Sequence, residues 1–463
     1  MENLVSLSLS GNFIDYNASA IGLLTNLTHL KKLMTLNLGY CDLSGPIPPH
    51  IGKLESMVDL DLSNNRLVGP IPSSVNNLTN LSSLFLQSNQ LNGSIPEDIG
   101  GLTNLVELDL SSNRLSGHIP SSLGQLTKLE SLYLYHNQIN GFIPHEIERL
   151  KDLKYLDLSN NWFIGPIPSS VSNLTNLSSL FLQSNQLNGS IPENIGGLTN
   201  LVELDLSSNR LSGHIPSSLG QLTKLESLYL HHNQINSFIP NEIERLKDLK
   251  NLDLSNNWFI GPIPSSVNNL TNLSSLFLQS NQLNGSIPED IGGLMNLVEL
   301  DLSSNRLSSH IPSSLGQLTN LIELELSSNR LSGHIPSSLG QLTKLEYLNL
   351  SHNQISSVIP PNLGSLFNLW CLSMASNLLE GPIPHEIRSL NTLIYLNLSA
   401  NKLSGPIPTQ IGNKDLCGSI QGFHPCPSSP NVNRERNSKV VKHNLPIVIL
   451  VPTLLLFVST SVL

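Results

Sequence analysis

A 24-residue period runs through almost the whole chain and restricts the possible folds more than any other feature. The pattern Leu-x-x-Leu-x-Leu-x-x-Asn first occurs over residues 4–12 and then recurs without insertion or deletion over residues 33–401. Each strict copy continues as x-Leu-x-Gly-x-Ile-Pro, and we count about seventeen repeats. One repeat cannot bury its own apolar face, so stability has to come from stacking between neighbours. We therefore predict a repeat solenoid over residues 1–408.

Each position of the repeat has a physical role. The alternating leucines predict a short strand with its leucines pointing inward, and parallel strands from successive repeats line one concave face. The Asn can bond backbone groups where the chain turns away and so form a ladder through the stack, in which Cys41 takes one place. Gly permits a tight bend, and Pro discourages pairing beyond the short strand. We therefore expect an elongated, curved solenoid.

The repeat resembles a known plant family. Residues 105–120 read Leu-Val-Glu-Leu-Asp-Leu-Ser-Ser-Asn-Arg-Leu-Ser-Gly-His-Ile-Pro, which looks like the leucine-rich repeat of plant receptor-like kinases and receptor-like proteins. The resemblance covers nearly all of residues 1–427. It implies an α/β-type right-handed curved superhelix with a parallel β-sheet on the concave face. It also implies a C-terminal cap over residues 409–427, closed by a disulfide between Cys417 and Cys426.

The two ends of the chain lead to further expectations. Residues 428–444 are polar and read as a juxtamembrane linker, and residues 445–463 are uncharged and read as an incomplete transmembrane segment. A lipid-anchor signal is the alternative for that tail. The chain opens inside a repeat without a secretory signal peptide or the family's N-terminal cap, so we expect both to precede it in a longer protein. The expected location is the plasma membrane, single-pass, with the repeats outside.

Glycosylation sequons agree with an extracellular location, although an Asn-, Ser- and Thr-rich repeat produces many by chance. The candidate glycosylation sites are Asn77, Asn80, Asn173, Asn176, Asn269, Asn272 and Asn397.

Composition and motifs argue against nucleic-acid binding and catalysis. The net charge is −10, so nucleic acid is an improbable partner. The chain contains no phosphate-binding loop, no His-Glu-x-x-His motif, no nucleophile elbow and no kinase motifs, so we expect no enzyme, no cofactor and no metal. The acidic residues follow the 24-residue period, and we interpret them as solvated scaffold residues on a strand face. The histidines that precede Ile-Pro are assigned a loop role, and they are His118, His214, His310 and His334.

The outward strand positions remain as the place where function can lie. In the column between the two final strand leucines, acidic and aromatic residues alternate, and neighbouring columns add tyrosines and histidines. Aromatic anchors among hydrogen-bonding groups suit an extended peptide. The candidate ligand-binding residues are Phe85, Asp109, Tyr133, Tyr135, His136, Tyr155, Phe181, Asp205, Tyr229, His231, His232 and Phe277.

A second, longer period is superposed on the first. Residues 73–168 and 169–264 differ at six positions, which are Asn76/Ser172, Asp98/Asn194, Tyr135/His231, Gly141/Ser237, His145/Asn241 and Tyr155/Asn251. The duplicated block has two interpretations, unselected recent duplication or selection for a multiplied binding site.

The functional hypothesis is a receptor-like protein at the cell surface. It would bind a peptide or protein ligand on the concave face, and it would signal through a kinase-bearing co-receptor because this chain holds no kinase. The alternatives are an extracellular inhibitor of the kind that acts on cell-wall enzymes, and a truncated relative that sequesters ligand as a decoy.

Overall fold

A single parallel sheet runs the length of the molecule. The computed structural model describes residues 3–12, 20–406 and 408, with the side chains of residues 20 and 21 left out. Each repeat contributes one three-residue strand to this main sheet, and from Thr35–Asn37 onward each strand pairs in register with the strand 24 residues later, while Ser6 of the first strand pairs with Thr35. The strands are Ser6–Ser8, Thr35–Asn37, Asp59–Asp61, Ser83–Phe85, Glu107–Asp109, Ser131–Tyr133, Tyr155–Asp157, Ser179–Phe181, Glu203–Asp205, Ser227–Tyr229, Asn251–Asp253, Ser275–Phe277, Glu299–Asp301, Glu323–Glu325, Tyr347–Asn349, Cys371–Ser373 and Tyr395–Asn397.

The core is one continuous column of apolar side chains. The central residue of most main-sheet strands is a fully buried leucine, and its two strand neighbours face the open side. Leucines and isoleucines from the other segments of each repeat complete the same cluster from Leu24 to Leu398. This arrangement confirms the predicted solenoid, in which every repeat buries its apolar face against its neighbours.

The predicted asparagine ladder is present and has a fixed direction. The Asn185 side-chain oxygen accepts from the backbone N–H of Phe163 in the preceding repeat at 3.0 Å. Its Nδ2 donates to the carbonyl of Leu158, also in the preceding repeat, at 3.0 Å, and to Leu182 at 3.1 Å. Cys41 occupies a ladder position as predicted, fully buried, with its thiol donating to the Leu9 carbonyl at 3.0 Å.

A second set of parallel strands follows the ladder asparagines, and the sequence reading did not predict it. This second sheet is interrupted once, into nine strands and seven. The nine are Ser44–Pro46, Arg66–Gly69, Gln90–Gly93, Arg114–Gly117, Gln138–Gly141, Trp162–Pro166, Gln186–Gly189, Arg210–Gly213 and Gln234–Ile235. The seven are Ile260–Pro262, Gln282–Gly285, Arg306–Ser309, Arg330–Gly333, Gln354–Ser357, Leu378–Gly381 and Lys402–Leu403. Proline ends the pairing as expected, but only after this second strand has formed.

Short 3₁₀ helices close each repeat behind the Ile-Pro pair. In the repeat of residues 129–152 the Ile147 N–H donates to the Pro144 carbonyl at 3.2 Å, which forms the first turn. The 3₁₀ helices are Pro49–Lys53, Ser73–Asn77, Ile99–Gly101, Ser121–Gln125, His145–Arg149, Ser169–Asn173, Ile195–Gly197, Ser217–Gln221, Asn241–Arg245, Ser265–Asn269, Ile291–Gly293, Ser313–Gln317, Ser337–Gln341, Pro361–Ser365 and His385–Ser389. The α-helix Ala20–Leu27 stands near the start.

Several predictions fall outside the described residues. These are the disulfide between Cys417 and Cys426, the whole of the cap 409–427, the linker 428–444 and the segment 445–463. Within the described part of the chain, we find no helix that combines the length and the apolar character needed to span a bilayer.

Candidate functional site

The open side of the main sheet presents straight columns of side chains, because every strand pairs in register with the next. Tyr133 lies directly between Asp109 and Asp157, and Phe181 lies between Asp157 and Asp205. The alternation of acidic and aromatic residues that the sequence predicts is therefore a physical column across adjacent strands.

One part of the open side brings together four of the twelve candidate residues. Tyr133 ends the strand Ser131–Tyr133, Tyr135 follows it by two residues, and Tyr155 lies on the next strand in register with Ser131. The rings of Tyr135 and His136 meet edge to face with their centres 5.6 Å apart. Tyr133 and Tyr135 are half-buried, and Tyr155 is 38% exposed. We call Tyr133, Tyr135 and Tyr155 the tyrosine cluster.

The second copy of the duplicated block has the same strands but only one of the three tyrosines. Tyr229 stands where Tyr133 does, but His231 and Asn251 replace Tyr135 and Tyr155. The His231 ring lies 6.3 Å from Tyr229 and 5.6 Å from His232, and its Nδ1 is 3.3 Å from the Asp253 carboxylate. Asn251 donates to the Ser227 hydroxyl at 3.1 Å. The two copies thus offer different side chains on the same backbone.

Burial affects the protonation of the tyrosines. Removal from water raises the pKa of Tyr133, of Tyr135 and of Tyr229 above the usual value for phenols, and nearby carboxylates add to the shift. These hydroxyls therefore stay protonated at neutral pH and can donate hydrogen bonds to a ligand.

The acidic column is not solvated, which corrects the sequence interpretation. Asp253, Asp301 and Glu325 are almost fully buried, and burial raises the pKa of Asp109 and of Asp301 to about 6. Burial likewise raises the pKa of Asp205. Oδ1 of Asp109 accepts a hydrogen bond from the Ser111 N–H at 2.9 Å, which favours the ionised form and partly offsets the effect of burial on the pKa. The interpretation of the acids as solvated residues is therefore wrong for Asp253, Asp301 and Glu325, whereas Asp109 and Asp205 keep partial exposure.

The phenylalanines Phe85, Phe181 and Phe277 are half-buried and lie four strands apart, so they form no joint cluster. Beside each stands a glutamine. Within the described part of the chain, the buried side-chain oxygens of these glutamines accept no hydrogen bond, and the residues are Gln87, Gln183 and Gln279. Each pair combines a half-buried apolar ring with an amide whose oxygen is shielded from solvent.

The candidate glycosylation sites lie on two parts of the surface. The six paired sequon asparagines are exposed around the 3₁₀ helices, away from the open side. Asn80 donates from Nδ2 to the Glu55 carbonyl at 2.9 Å. Asn397 differs, because it lies on a main-sheet strand and its Nδ2 donates to the Tyr395 hydroxyl at 3.1 Å.

Sequence reasoning missed one backbone feature of the site. The residue before each ladder asparagine adopts a left-handed conformation, with φ 52° at His136 and φ 54° at His232. Asn and Gly are the usual residues for such a position, and the chain places Asn64, Asn160 and Asn256 there in other repeats. Among the described residues, no group of three or more histidine, cysteine or acidic side chains could hold a metal ion.

Comparison with known families identifies the repeat. A family model described as "Leucine-rich repeat region" matches residues 7–142, 136–238 and 228–333, and two further leucine-rich-repeat models match residues 319–364 and 392–414. The chain belongs to the leucine-rich-repeat family. All of the family matches are to repeats, and none is to a catalytic domain.

Solved leucine-rich-repeat structures extend this result to plant receptors. The plant peptide hormone receptor RGFR1, solved with RGF2, is 37% identical with a TM-score of 0.78, and the match covers 83% of this chain and 66% of that chain. A TDR receptor is 33% identical with a TM-score of 0.77, covering 88% and 76%. The Arabidopsis receptor kinase HAESA, solved with the peptide hormone IDA and the co-receptor SERK1, is 34% identical with a TM-score of 0.53, covering 86% and 81%.

These neighbours confirm the resemblance to plant receptor ectodomains. This leucine-rich-repeat chain covers just under two thirds of the RGFR1 chain. A comparison with curated protein sequences found no match.

Proposed function

We propose that this leucine-rich-repeat chain is the ligand-recognition part of a cell-surface receptor and binds an extended peptide along the open side of its main sheet. The observation that carries the proposal is the tyrosine cluster. Its three tyrosine rings lie on or directly after two adjacent strands. At the same three positions, the repeats on either side carry aspartate or serine. Partly buried tyrosines give large contact area at low entropic cost and supply hydroxyl donors, which is why they dominate many recognition surfaces.

The chemistry around the cluster favours a peptide. Protonated phenols can donate to peptide carbonyls, and the phenylalanine rings of the same column can contact apolar peptide side chains. RGFR1 and HAESA, two receptors to which this chain is similar, were solved with peptide hormones bound. A peptide would cross several strands and contact one or two columns in each repeat.

Signalling would require a second chain. No family match to this chain covers a catalytic domain, and HAESA was solved together with the co-receptor SERK1. We propose that a kinase-bearing partner joins this protein at the plasma membrane once the peptide is bound. The membrane attachment, the extracellular location and the glycosylation of the sequon asparagines belong to this same proposal.

The internal duplication supplies a matched test. The double substitution Tyr135→His with Tyr155→Asn converts the first copy into the second, whose frame already accommodates His231 and Asn251. We expect it to lower peptide affinity about tenfold without a change in the unfolding midpoint, because two aromatic contacts are lost from a surface. The reverse pair, His231→Tyr with Asn251→Tyr, should create a second tyrosine cluster and raise the number of bound peptides per chain.

The measurement begins with a displayed library of extended peptides, with RGF2 and IDA peptides as defined starting probes. Clones selected on the wild-type chain are then titrated by calorimetry against both double variants. If selected peptides bind the Tyr135→His, Tyr155→Asn variant as tightly as the wild type, the tyrosine cluster is not the binding site.

A further inference from the structure

The second sheet carries a regular strip of basic and aromatic side chains. The residue that follows each ladder asparagine is exposed or partly exposed, and in nine successive repeats this column alternates cation, amide, aromatic and amide. It begins a second-sheet strand in eight of these repeats, and in the other one Trp258 stands two residues before the strand Ile260–Pro262. We call this column the lateral strip, and it consists of Arg114, Gln138, Trp162, Gln186, Arg210, Gln234, Trp258, Gln282 and Arg306. Because neighbouring parallel strands lie about 4.8 Å apart, the strip is about 38 Å long, with a cation or a tryptophan every 10 Å or so.

Each tryptophan of the lateral strip belongs to a group of three exposed apolar side chains, which we call an apolar platform. Trp162 is 51% exposed. Ile164, on the same strand, is 42% exposed, and Phe142, directly after the strand Gln138–Gly141, is 62% exposed. The Cδ1–Cε1 edge of the Phe142 ring faces Gly165, where an added Cβ would come within 2.3 Å of both atoms. Gly165 has a φ of 77°, so backbone and ring both require glycine there.

The second platform repeats this arrangement four strands away. Trp258 is 49% exposed, Ile260 is 37% exposed and Phe238 is 61% exposed, and the Cδ1–Cε1 edge of the Phe238 ring faces Gly261. Exposed aromatic and apolar side chains in such groups mark interaction surfaces. The two platforms are equivalent in chemistry and lie on one line.

The charge of the lateral strip differs from that of the rest of the protein. The chain has a net charge of −10 and an acidic open side, yet the strip contains three arginines and no acidic residue. Arg114 and Arg210 donate to glutamines of the neighbouring strands at 3.3 Å, and in the described part of the chain neither they nor Arg306 form a salt bridge. The carboxylates of Glu97, Glu193 and Glu289 lie 3.4, 2.9 and 3.0 Å from the Nε2 atoms of His118, His214 and His310, and therefore do not neutralise the arginines of the strip.

We propose that the lateral strip binds an acidic polysaccharide that lies extended along the second sheet. A sugar ring can stack its C–H face on a tryptophan, its hydroxyls can bond the flanking amides, and an arginine two strands away can pair with a carboxylate. In an extended 1,4-linked chain, one pyranose ring is about as long as the distance between two adjacent strands of the second sheet. A uronic acid polymer with some neutral rings therefore matches both the chemistry and the spacing.

The density of charge favours a polysaccharide over a nucleic acid. A nucleic-acid strand carries a negative charge about every 3.4 Å, which the arginines, separated by four strands, cannot neutralise. The net negative charge of the chain would repel such a polymer. A sparsely charged chain with stackable rings suffers much less from this repulsion.

The test uses the full chain and defined probes. We expect a partly methyl-esterified decamer of galacturonic acid, in which neutral rings separate the carboxylates, to bind in calorimetry and to bind more weakly as salt rises. Cellohexaose, a neutral 1,4-linked chain, and an oligothymidylate should bind much more weakly. Equal binding of cellohexaose, or tighter binding of oligothymidylate, would overturn the proposal, as would the absence of any galacturonide binding at low salt.

Substitutions locate the site. Trp162→Ala with Trp258→Ala, and separately Arg114→Gln, Arg210→Gln and Arg306→Gln together, should each weaken galacturonide binding about tenfold. The control for the tryptophans is Trp370→Ala, which removes an exposed tryptophan directly before the main-sheet strand Cys371–Ser373. The control for the arginines is Arg149→Gln with Arg245→Gln, which removes two exposed arginines of the 3₁₀ helices. All changes are at exposed residues, so the fold should persist. If the controls weaken binding as much as the strip variants, the lateral strip is not the site.

This proposal can fail independently of the peptide proposal. The Tyr135→His, Tyr155→Asn variant leaves the second sheet untouched and should bind galacturonide like the wild type. Lateral-strip variants should in turn keep their peptide affinity. A loss of galacturonide binding in the tyrosine variant would show that the two ligands share one surface, and would contradict the assignment to the lateral strip.

Discussion

At the scale of single residues, the acidic column is the part of the main sheet most sensitive to pH. Asp109 and Asp301 each accept a hydrogen bond from the backbone N–H of the serine two residues on, yet burial raises the pKa of both to about 6. The unfolded chain ionises an aspartate near pH 4. The folded protein therefore holds protons that the unfolded chain has already released between about pH 4 and pH 6.

The sign of the effect follows from this difference. Because the folded state binds more protons, the free energy of unfolding falls as pH rises through this window, by up to about 1.4 kcal/mol per pH unit for each carboxyl. The protein should thus be more stable near pH 5 than near pH 7. Asp109→Asn with Asp301→Asn should raise the unfolding midpoint at pH 7 and flatten its pH dependence.

Asparagine is an appropriate replacement because Asn349 and Asn397 already occupy the same column and accept from the serine N–H at 3.0 and 3.1 Å. Thermal unfolding of both proteins between pH 4.5 and pH 7.5 provides the check. An unchanged slope in the double variant would assign the pH dependence to other groups.

Residue-scale prediction from sequence succeeded where a role follows from backbone hydrogen bonding and failed where it depends on the depth of burial. The asparagine ladder and the place of Cys41 in it were predictable, since a buried backbone needs partners at each turn. The dryness of Asp253 and Asp301 was not, because an outward strand position says nothing about how closely the neighbouring strands shield it. Whether the candidate residues contact a ligand stays a prediction.

At the scale of elements, the interruption of the second sheet coincides with one difference between the duplicated blocks. The strand Gln138–Gly141 runs into Gly141 at φ 78° and pairs with the next strand through Phe163. In the second copy Ser237 stands in place of that glycine without a positive φ, and the strand ends after Ile235. The left-handed region is unfavourable for serine, and Ser237 leaves it, whereas Ser309 and Ser357 keep a positive φ at the same repeat position and remain in their strands.

We expect Ser237→Gly to join the two parts of the second sheet and to stabilise the protein by about 0.5 kcal/mol, while Gly141→Ser should destabilise it by about 1 kcal/mol. Amide hydrogen exchange gives a local readout. The Ile260 amide, which donates to the Ser237 carbonyl at 3.1 Å, should exchange as slowly as its counterpart Ile164 in the Ser237→Gly protein.

The reciprocal variant is the control, because Gly141→Ser should speed exchange at Ile164 and leave Ile260 unchanged. If neither substitution changes the exchange rates, residue 237 is not the cause of the interruption in the second sheet. The second sheet itself escaped sequence analysis, because its strands of Arg-Leu-Ser-Gly or Gln-Leu-Asn-Gly carry a single buried leucine each and therefore show too little alternation to predict pairing.

At the scale of the whole molecule, the repeat period was sufficient to predict the fold. Seventeen main-sheet strands stand in register because each is separated from the next by a whole repeat, and nearest-neighbour contacts supply the stability. The curved shape and the parallel sheet follow from the same pattern. The functional surfaces could only be narrowed to outward columns, since the repeat fixes where side chains point and not what they bind.

A deletion tests this modular view. Removal of residues 169–264 joins Pro168 to Ser265, the same dipeptide that the native chain has at both block boundaries, and keeps the tyrosine cluster. We expect a folded protein whose length along the sheet is about 20 Å shorter and whose peptide affinity is unchanged. Small-angle scattering and circular dichroism provide the measurement. Aggregation or loss of the circular dichroism spectrum would indicate interactions that extend beyond neighbouring repeats.

The direction of the ladder also sets the order in which repeats are completed during synthesis. From Asn65 onward, each ladder asparagine bonds backbone groups of the preceding repeat, as Asn185 does with Phe163 and Leu158. A repeat leaving the ribosome is therefore incomplete until the next one emerges and supplies its asparagine. Synthesis from the N-terminus delivers these partners in the order in which they are needed, so that at any moment only the youngest repeat exposes unsatisfied backbone groups.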